Sequence, residues 1–135
     1  MANPAENHQL PVLVTAEDGT TVWAKRAWPI EVRGGMRLSP RIDCSSLRMR
    51  SSEAGYEADW HVAGDPTLIV VRAGTLRLIL RDGSSRDFGP GEAFIAADDV
   101  PEGQAFDNAL HGHRAEVVGN TALEAIHIKL NGFGS

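Results

Sequence analysis

Short apolar segments separated by closely spaced turn signals occupy the middle of the chain, between residues 67 and 96. Residues 68–72 are almost wholly apolar, and residues 75–81 alternate leucine with polar side chains. Such alternation is typical of a β-strand with one buried face. Asp82-Gly83 is a strong hairpin signal, and Gly89-Pro90-Gly91 marks a second tight turn. This region therefore predicts consecutive short strands joined by tight turns.

The same signals recur along the rest of the chain, and no helical periodicity stands out. About ten short strands with tight turns are typical of a sandwich or a jelly-roll barrel. A chain of 135 residues fits one domain with one core. We therefore predict an all-β domain over residues 11–135, preceded by a disordered polar tail at residues 1–10. Further candidate strands lie at residues 11–15, 21–24, 30–32, 47–50, 86–88, 93–96, 114–118 and 123–130.

Composition argues against several classes of partner. The net charge of −5 opposes a phosphate-binding surface, so we expect no nucleic acid partner. No apolar run approaches the ~20 residues of a membrane-spanning helix, and the start of the chain lacks the features of a secretory signal. Cys44 is the single cysteine, which we expect to be buried and inert. These features favour a cytoplasmic protein without membrane contact.

The sequence around His61 resembles the first motif of the cupin superfamily. Gly55, His61 and Gly74 keep the spacing of that motif. Ala63 stands where the motif has its second histidine, and Thr67 stands where it has its glutamate. The resemblance covers about residues 45–130 and implies a cupin-type jelly-roll β-barrel.

Residues 86–95 resemble the start of the second cupin motif, and two alignments remain open beyond them. In the first, Pro101 and Gly103 continue the motif, and Phe106 takes the ligand position. In the second, which we prefer, residues 101–110 are an insertion and Gly112-His113 end the motif. Thr67 and Phe106 are in either case candidates for the wall of a substrate pocket.

The resemblance implies a transition-metal site, because cupins usually hold a metal with three histidines and one glutamate. His61, His111 and His113 are the candidate ligands here. His111 and His113 have the same parity, so both could face one side of an extended segment. Imidazole ligands suit Fe, Zn, Mn or Ni, and open positions would allow a substrate to bind.

A metal-free cavity is the alternative, with His61 acting as an acid or a base near its ordinary pKa of ~6.5. Glu57, Asp59 or Glu92 would then orient its ring. His127 shares the face of Leu123 and Ala125, which could be either lumen or exterior, and we favour the exterior. In both versions the partner is a small organic molecule.

Two classes of function follow. The first is a small-molecule-transforming enzyme with His61 in the cavity, of isomerase, cyclase, lyase or dioxygenase type, as the cupin resemblance implies. The second is a non-catalytic ligand-binding or sensor module without metal. The retained His61 favours the enzyme. Cupins often pair an N-terminal strand with a neighbouring subunit, so the apolar segment around Trp23 and Trp28 leads us to expect a homodimer.

Two further features are interpreted as surface. Asp98-Asp99 lies in a segment without strand signals, which favours a solvated loop. One lumenal arginine could clamp a substrate carboxylate. Solvated strand faces explain the arginines of the predicted strands more simply, namely Arg72, Arg77, Arg81, Arg86 and Arg114.

Overall fold

The computed structural model describes residues 6–132, which form strands and turns without a helix. The strands form a six-stranded sheet in the order β2-β1-β10-β7-β12-β5, a four-stranded sheet in the order β6-β11-β8-β9, and a separate β3-β4 hairpin. Their bounds are β1 (Asn7–Thr15), β2 (Thr21–Pro29), β3 (Glu31–Arg33), β4 (Met36–Leu38), β5 (Cys44–Ser52), β6 (Glu57–His61), β7 (Thr67–Ala73), β8 (Thr75–Ile79), β9 (Ser85–Phe88), β10 (Ala93–Ala96), β11 (His113–Val118) and β12 (Leu123–Leu130).

The last eight strands pair like a long hairpin folded over on itself. Strand β8 pairs with β9, β7 with β10, β6 with β11, and β5 with β12, each pair antiparallel. Successive layers of this hairpin fall in alternate sheets, which is the jelly-roll arrangement. The predicted all-β jelly-roll fold is confirmed, in the form of two facing sheets.

The core lies between the two sheets and is built from the inward-facing residues of each. Leu13 and Phe94 come from the large sheet, and Leu76 and Phe88 come from the small one. The rings of Phe88 and Phe94 lie 4.6 Å apart, and Trp23 packs against both. Alternate residues of a strand point to the same side of a sheet. Polar residues that occupy the same alternate positions as the core residues therefore also point between the two sheets.

The predicted disordered tail is wrong for residues 7–10, which belong to β1. Residues 7–9 are polar and Leu10 packs against an apolar cluster, while the backbone pairs with β2 from Asn7 opposite Pro29 to Thr15 opposite Thr21. This ladder satisfies the backbone hydrogen bonds that a free tail would leave to water. Residues 1–5 of the predicted tail lie outside the described residues.

The N-terminal hairpin belongs to the sheet of its own chain. Strand β1 runs parallel to β10, with Val12 opposite Ile95. Trp28 is buried with these residues and Leu130 in a second apolar cluster. The apolar N-terminal segment therefore needs no neighbouring subunit to cover it.

Two further details correct the sequence predictions. Cys44 is exposed rather than buried, because it begins β5, a strand at the edge of the large sheet. Strand β4 was not predicted. In the part of the chain that the structure describes, no helix has the length and hydrophobicity required to cross a membrane.

Candidate functional site

A cavity of about 220 Å³ lies between the two sheets. Most of its wall is apolar, and a few polar side chains converge on it. An apolar pocket with few polar groups is the usual form of a small-molecule site. The apolar residues include Ile69, Leu76, Leu78, Phe94 and Ala115, and the polar ones are Arg50, His61, Thr67, His113 and His127.

His61 and His113 are neighbours across strands β6 and β11, where they are direct register partners. Their ring centroids lie 4.5 Å apart. The register shifts between His113 and Ala115, so β6 carries a bulge just before His61. A bulge of this kind re-aims the side chain beside it.

Gly112 makes the close approach of these two histidines possible. Its φ of +85° is a left-handed conformation that side chains other than glycine rarely adopt. A Cβ at this position would collide with the backbone carbonyl of His61. The sequence Gly112-His113 therefore places an imidazole against β6 where a bulkier residue would hold the strands apart.

The strongest polar contact of the site joins His113 to Asp98. Nδ1 of His113 lies 2.6 Å from Oδ2 of Asp98, and the Asp98 residue is 0% exposed. The same Oδ2 accepts a hydrogen bond from Thr21 Oγ1 at 2.8 Å, and Oδ1 accepts one from the Ala63 amide at 3.1 Å. The carboxylate is therefore fully partnered inside the protein.

The interpretation of Asp98 as part of a solvated loop is wrong. The Ala97 amide donates to the Leu13 carbonyl, and the Gly64 amide donates to the Asp98 carbonyl, so the backbone here is tied into the domain. Burial by itself raises the pKa of Asp98. The hydrogen bond and the charge of His113, with the hydrogen bonds from Thr21 and Ala63, outweigh burial and hold that pKa below its ordinary value.

The hydrogen bonds fix the tautomer of both imidazoles. A carboxylate and a carbonyl oxygen only accept, so Nδ1–H of His113 donates to Asp98, and Nδ1–H of His61 donates to the Asp59 carbonyl at 2.7 Å. Each neutral ring then carries its lone pair on Nε2. Among the described residues, no other hydrogen bond engages either ring. Both lone pairs are therefore available to a ligand or a transferred proton.

His61 stands at the rim of the cavity and is exposed, yet its pKa is lowered from the ordinary 6.5. Partial removal of the ring from water is the largest cause, and the neighbouring His113 and Arg50 add to it. The hydrogen bond to Asp59 and the charge of Asp98 oppose this shift without cancelling it. His61 is therefore neutral at pH 7.

His127 lines the cavity, so its placement on the exterior is wrong. Its face of β12 also carries Leu123 and Ala125, which are fully buried in the core between the sheets. Nη1 of Arg50 lies 3.4 Å from Nε2 of His127. Burial is the main cause that lowers the pKa of His127, and the charge of Arg50 is the second.

Arg50 was not among the arginines that the sequence singled out. It lies on β5 directly opposite Ala125, whose side chain is in the core. This register turns the Arg50 side chain toward the inside of the domain. The available signal was the alternation of leucine or methionine with arginine in β5. At this edge of the sheet the arginine face of β5 is the inner face, and the leucine and methionine face is exposed.

The structure leaves two predicted site residues outside the cavity. His111 is buried, but its Nδ1 accepts a hydrogen bond from the Asp107 amide at 2.9 Å, within its own loop. The parity argument failed because Gly112 is not extended. Phe106 is 42% exposed in the same loop and contacts His111 instead of the cavity.

Thr67 lies in the cavity wall, with its hydroxyl donating to the Asp65 carbonyl at 3.0 Å.

None of the carboxylates expected to orient His61 forms a hydrogen bond to its ring among the described residues. Asp59 offers its carbonyl oxygen rather than its carboxylate, and Glu92 caps the Gly89 amide at 2.8 Å. Asp98 takes the orienting role, toward His113.

The residues of the cavity do not fit a metal. Within residues 6–132, no three His, Cys, Asp or Glu side chains converge as ligands of one ion. Ala63 and Thr67 supply no imidazole or carboxylate. The guanidinium beside His127 places positive charge next to the remaining imidazole, which repels a cation. The predicted metal site of His61, His111 and His113 is therefore not assembled.

Several solved structures resemble this chain at low sequence identity. No family model matches the sequence, and no curated protein matches it. A polyketide cyclase, RemF, from Streptomyces resistomycificus matches with a TM-score of 0.49 and 16% identity, over 100% of this chain and 82% of that one. A cupin domain from Bordetella pertussis matches with a TM-score of 0.46 and 11% identity, over 96% of this chain and 100% of that one.

A cupin-2 domain protein from Shewanella frigidimarina also matches, with a TM-score of 0.42 and 20% identity, over 65% of this chain and 78% of that one. Likenesses at these identities and TM-scores say nothing about activity. The jelly-roll arrangement rests on the nested pairing of strands β5 to β12, and it is the arrangement that the resemblance of the Gly55–Gly74 motif to cupins implies.

Proposed function

We propose that this protein is a small-molecule-transforming cupin enzyme that works by metal-free proton transfer, with His113 as the base. One observation carries the proposal. A fully buried carboxylate, Asp98, lies 2.6 Å from Nδ1 of an imidazole that borders the cavity, and the rim residue His61 packs against that ring. A histidine held by a carboxylate is the common form of a positioned general base.

In this proposal His113 removes a proton from a C–H or O–H group of a molecule in the cavity. Asp98 keeps the proton of the neutral ring on Nδ1, so Nε2 accepts the transferred proton, and the carboxylate stabilises the imidazolium that forms. Returning that proton to another atom of the same molecule completes an isomerisation or a cyclisation. His61, neutral and open to solvent, relays the proton between His113 and water.

Hydrogen–deuterium exchange tests this proposal without knowledge of the substrate. Small carbonyl compounds in D₂O are followed by proton NMR for loss of acidic C–H signals in the presence of the protein. His113→Asn is expected to slow exchange by about 10²- to 10⁴-fold, the usual contribution of a general base. Asp99→Asn removes an exposed neighbouring carboxylate and serves as the control. Equal exchange in wild type and His113→Asn would contradict the proposal.

A second candidate is a non-catalytic ligand-binding module. The apolar wall and small volume of the cavity favour it equally well, because neither feature requires chemistry. Saturable binding of a molecule whose protons never exchange would support this alternative.

We also propose a homodimer that forms through β5. This strand is an edge of the large sheet, and its unpaired backbone groups are open to another strand. Leu47 and Met49 are 59% and 61% exposed on the face opposite Arg50. They lie beside the half-buried Ile128 and Ile126 of β12, so the apolar surface extends across two strands.

Light scattering after size exclusion tests the dimer. Twice the chain mass of 14.5 kDa is expected for wild type, and the single-chain mass for a Leu47→Glu, Met49→Glu double variant. A wild-type mass of one chain would contradict it.

The single exposed thiol of Cys44 suits a reducing compartment, which supports a cytoplasmic location.

A further inference from the structure

We infer that the cavity binds a small organic acid and that Arg50 holds its carboxylate. This inference rests on the proposed function where it names the acid as the substrate. The binding itself requires only the cavity and Arg50.

Within residues 6–132, the half-buried Arg50 has no anionic partner, although a guanidinium removed from water usually has one. Its Nε donates to Ser52 Oγ at 3.2 Å, Nη1 approaches His127, and the group lies 5.5 Å from the centre of the Tyr56 ring. Among the ion pairs of residues 6–132, none includes Arg50. Arg77, by contrast, is paired with Asp87 at 2.8 Å.

The surroundings of Arg50 make a carboxylate ligand favourable. Removing a cation from water is costly unless an anion compensates it, and burial of Arg50 is the main cause that lowers its pKa. The neighbours of the guanidinium engage Nε and Nη1, and its remaining N–H groups can still donate. A carboxylate matches the planar fork of arginine and accepts two parallel hydrogen bonds from it.

The rest of the cavity limits the size and character of the acid. A volume of about 220 Å³ corresponds to roughly seven water molecules, which suits a short aliphatic acid. Ile69, Leu78 and Phe94 line it and would contact the alkyl part. His113 borders the same space, so an acid held at Arg50 would share the cavity with the proposed base.

Isothermal titration of the full chain with butyrate and with butyramide tests the inference. The two molecules have the same shape, and only butyrate carries the charge. Butyrate is expected to bind at least about 10-fold more tightly than butyramide to wild type. Arg50→Met should weaken butyrate binding at least about 10-fold, and Arg50→Lys, which keeps the charge, should weaken it less. Arg72→Met is the control, because Arg72 is exposed and lies outside the cavity.

Three results would overturn the inference. They are no binding of butyrate to wild type at about 20 mM, equal affinities for butyrate and butyramide, and unchanged butyrate binding in both Arg50 variants. Thermal unfolding of Arg50→Met and Arg50→Lys establishes that each variant is folded when it is titrated. His113→Asn should still bind butyrate, so failure of the carboxylate site and failure of the proton-transfer proposal give different results.

Discussion

Replacing Asp98 by asparagine should expose how much the buried carboxylate contributes to both stability and chemistry. Asp98 accepts three hydrogen bonds, two at Oδ2 and one at Oδ1. Asparagine has one acceptor oxygen and one amide group that only donates. Whichever way the side chain turns, its amide group then faces a donor.

The magnitude follows from the arrangement in which asparagine keeps the two hydrogen bonds of Oδ2. If its oxygen faces His113 and Thr21, its amide group faces the Ala63 N–H, which loses its acceptor. An unsatisfied buried donor costs about 1–3 kcal/mol, and the bond to His113 also loses the charge that strengthened it. We therefore expect Asp98→Asn to lower the free energy of unfolding by about 3 kcal/mol.

Urea unfolding followed by tryptophan fluorescence measures this loss. Asp99→Asn is the matched control, because Asp99 is adjacent and exposed and should change stability by less than about 0.5 kcal/mol. Proton NMR of the imidazole gives a second readout, since the hydrogen bond from Nδ1–H of His113 weakens when its acceptor loses its charge, and the Nδ1–H resonance should move upfield. If Asp98→Asn unfolds like Asp99→Asn and the Nδ1–H resonance is unchanged, the reasoning about the buried pair is refuted.

Three other predictions concern the same site. Gly112→Ala should destabilise the protein more than Gly119→Ala in urea unfolding, because both glycines have positive φ but only Gly112 has a backbone neighbour in the way; equal losses would contradict this. The free energy of unfolding should fall as the pH drops below 6.5, because the unfolded chain then takes up a proton at His127 before the folded chain does. His127→Asn should reduce the difference between about pH 7.5 and about pH 5.5, and an undiminished difference would argue against the lowered pKa. Elemental mass spectrometry of freshly purified protein should find far less than one transition metal per chain, whereas a stoichiometric metal lost in His61→Ala would overturn the metal-free site.

Much of the fold could be predicted because its signals are local. Strands β10 and β12 occupy the predicted residues 93–96 and 123–130. The turn residues at Asp82-Gly83 and Gly89-Pro90-Gly91 adopt their conformations within a few bonds, and the alternation of leucine with polar residues is visible within residues 75–81. The strand order could not be derived in this way, and the family resemblance implied only the jelly-roll type of fold.

The face of a strand was harder to assign than its position. The exterior was favoured for His127, whose face of β12 lies opposite the more hydrophobic face of Ile126, Ile128 and Leu130. The structure packs Ile128 and Leu130 in a second apolar cluster with Val12 and Ile95, away from the main core. A sheet that buries part of both faces removes the contrast on which the alternation argument depends.

Burial of a charged side chain in a loop was beyond local reasoning altogether. Asp98 is buried because His113, Thr21 and Ala63, from three distant parts of the chain, all donate to it. No pattern around Asp98 distinguishes it from the exposed Asp99. The partners of such a residue become visible only when the tertiary structure brings them together.

The nested pairing of the jelly roll has a consequence for how this protein acquires its site during folding. Arg50 and His61 precede the β8-β9 hairpin, whereas Asp98, His113 and His127 follow it. Formation of the β8-β9 hairpin alone brings none of these residues together. The pairs β7-β10, β6-β11 and β5-β12 each join strands that are further apart in the sequence than the pair before. Domains dominated by such non-local contacts fold slowly. Competence to bind a ligand should therefore emerge at the end of refolding, with the β5-β12 pairing, and a kinetic intermediate with most of its strands formed would still lack it.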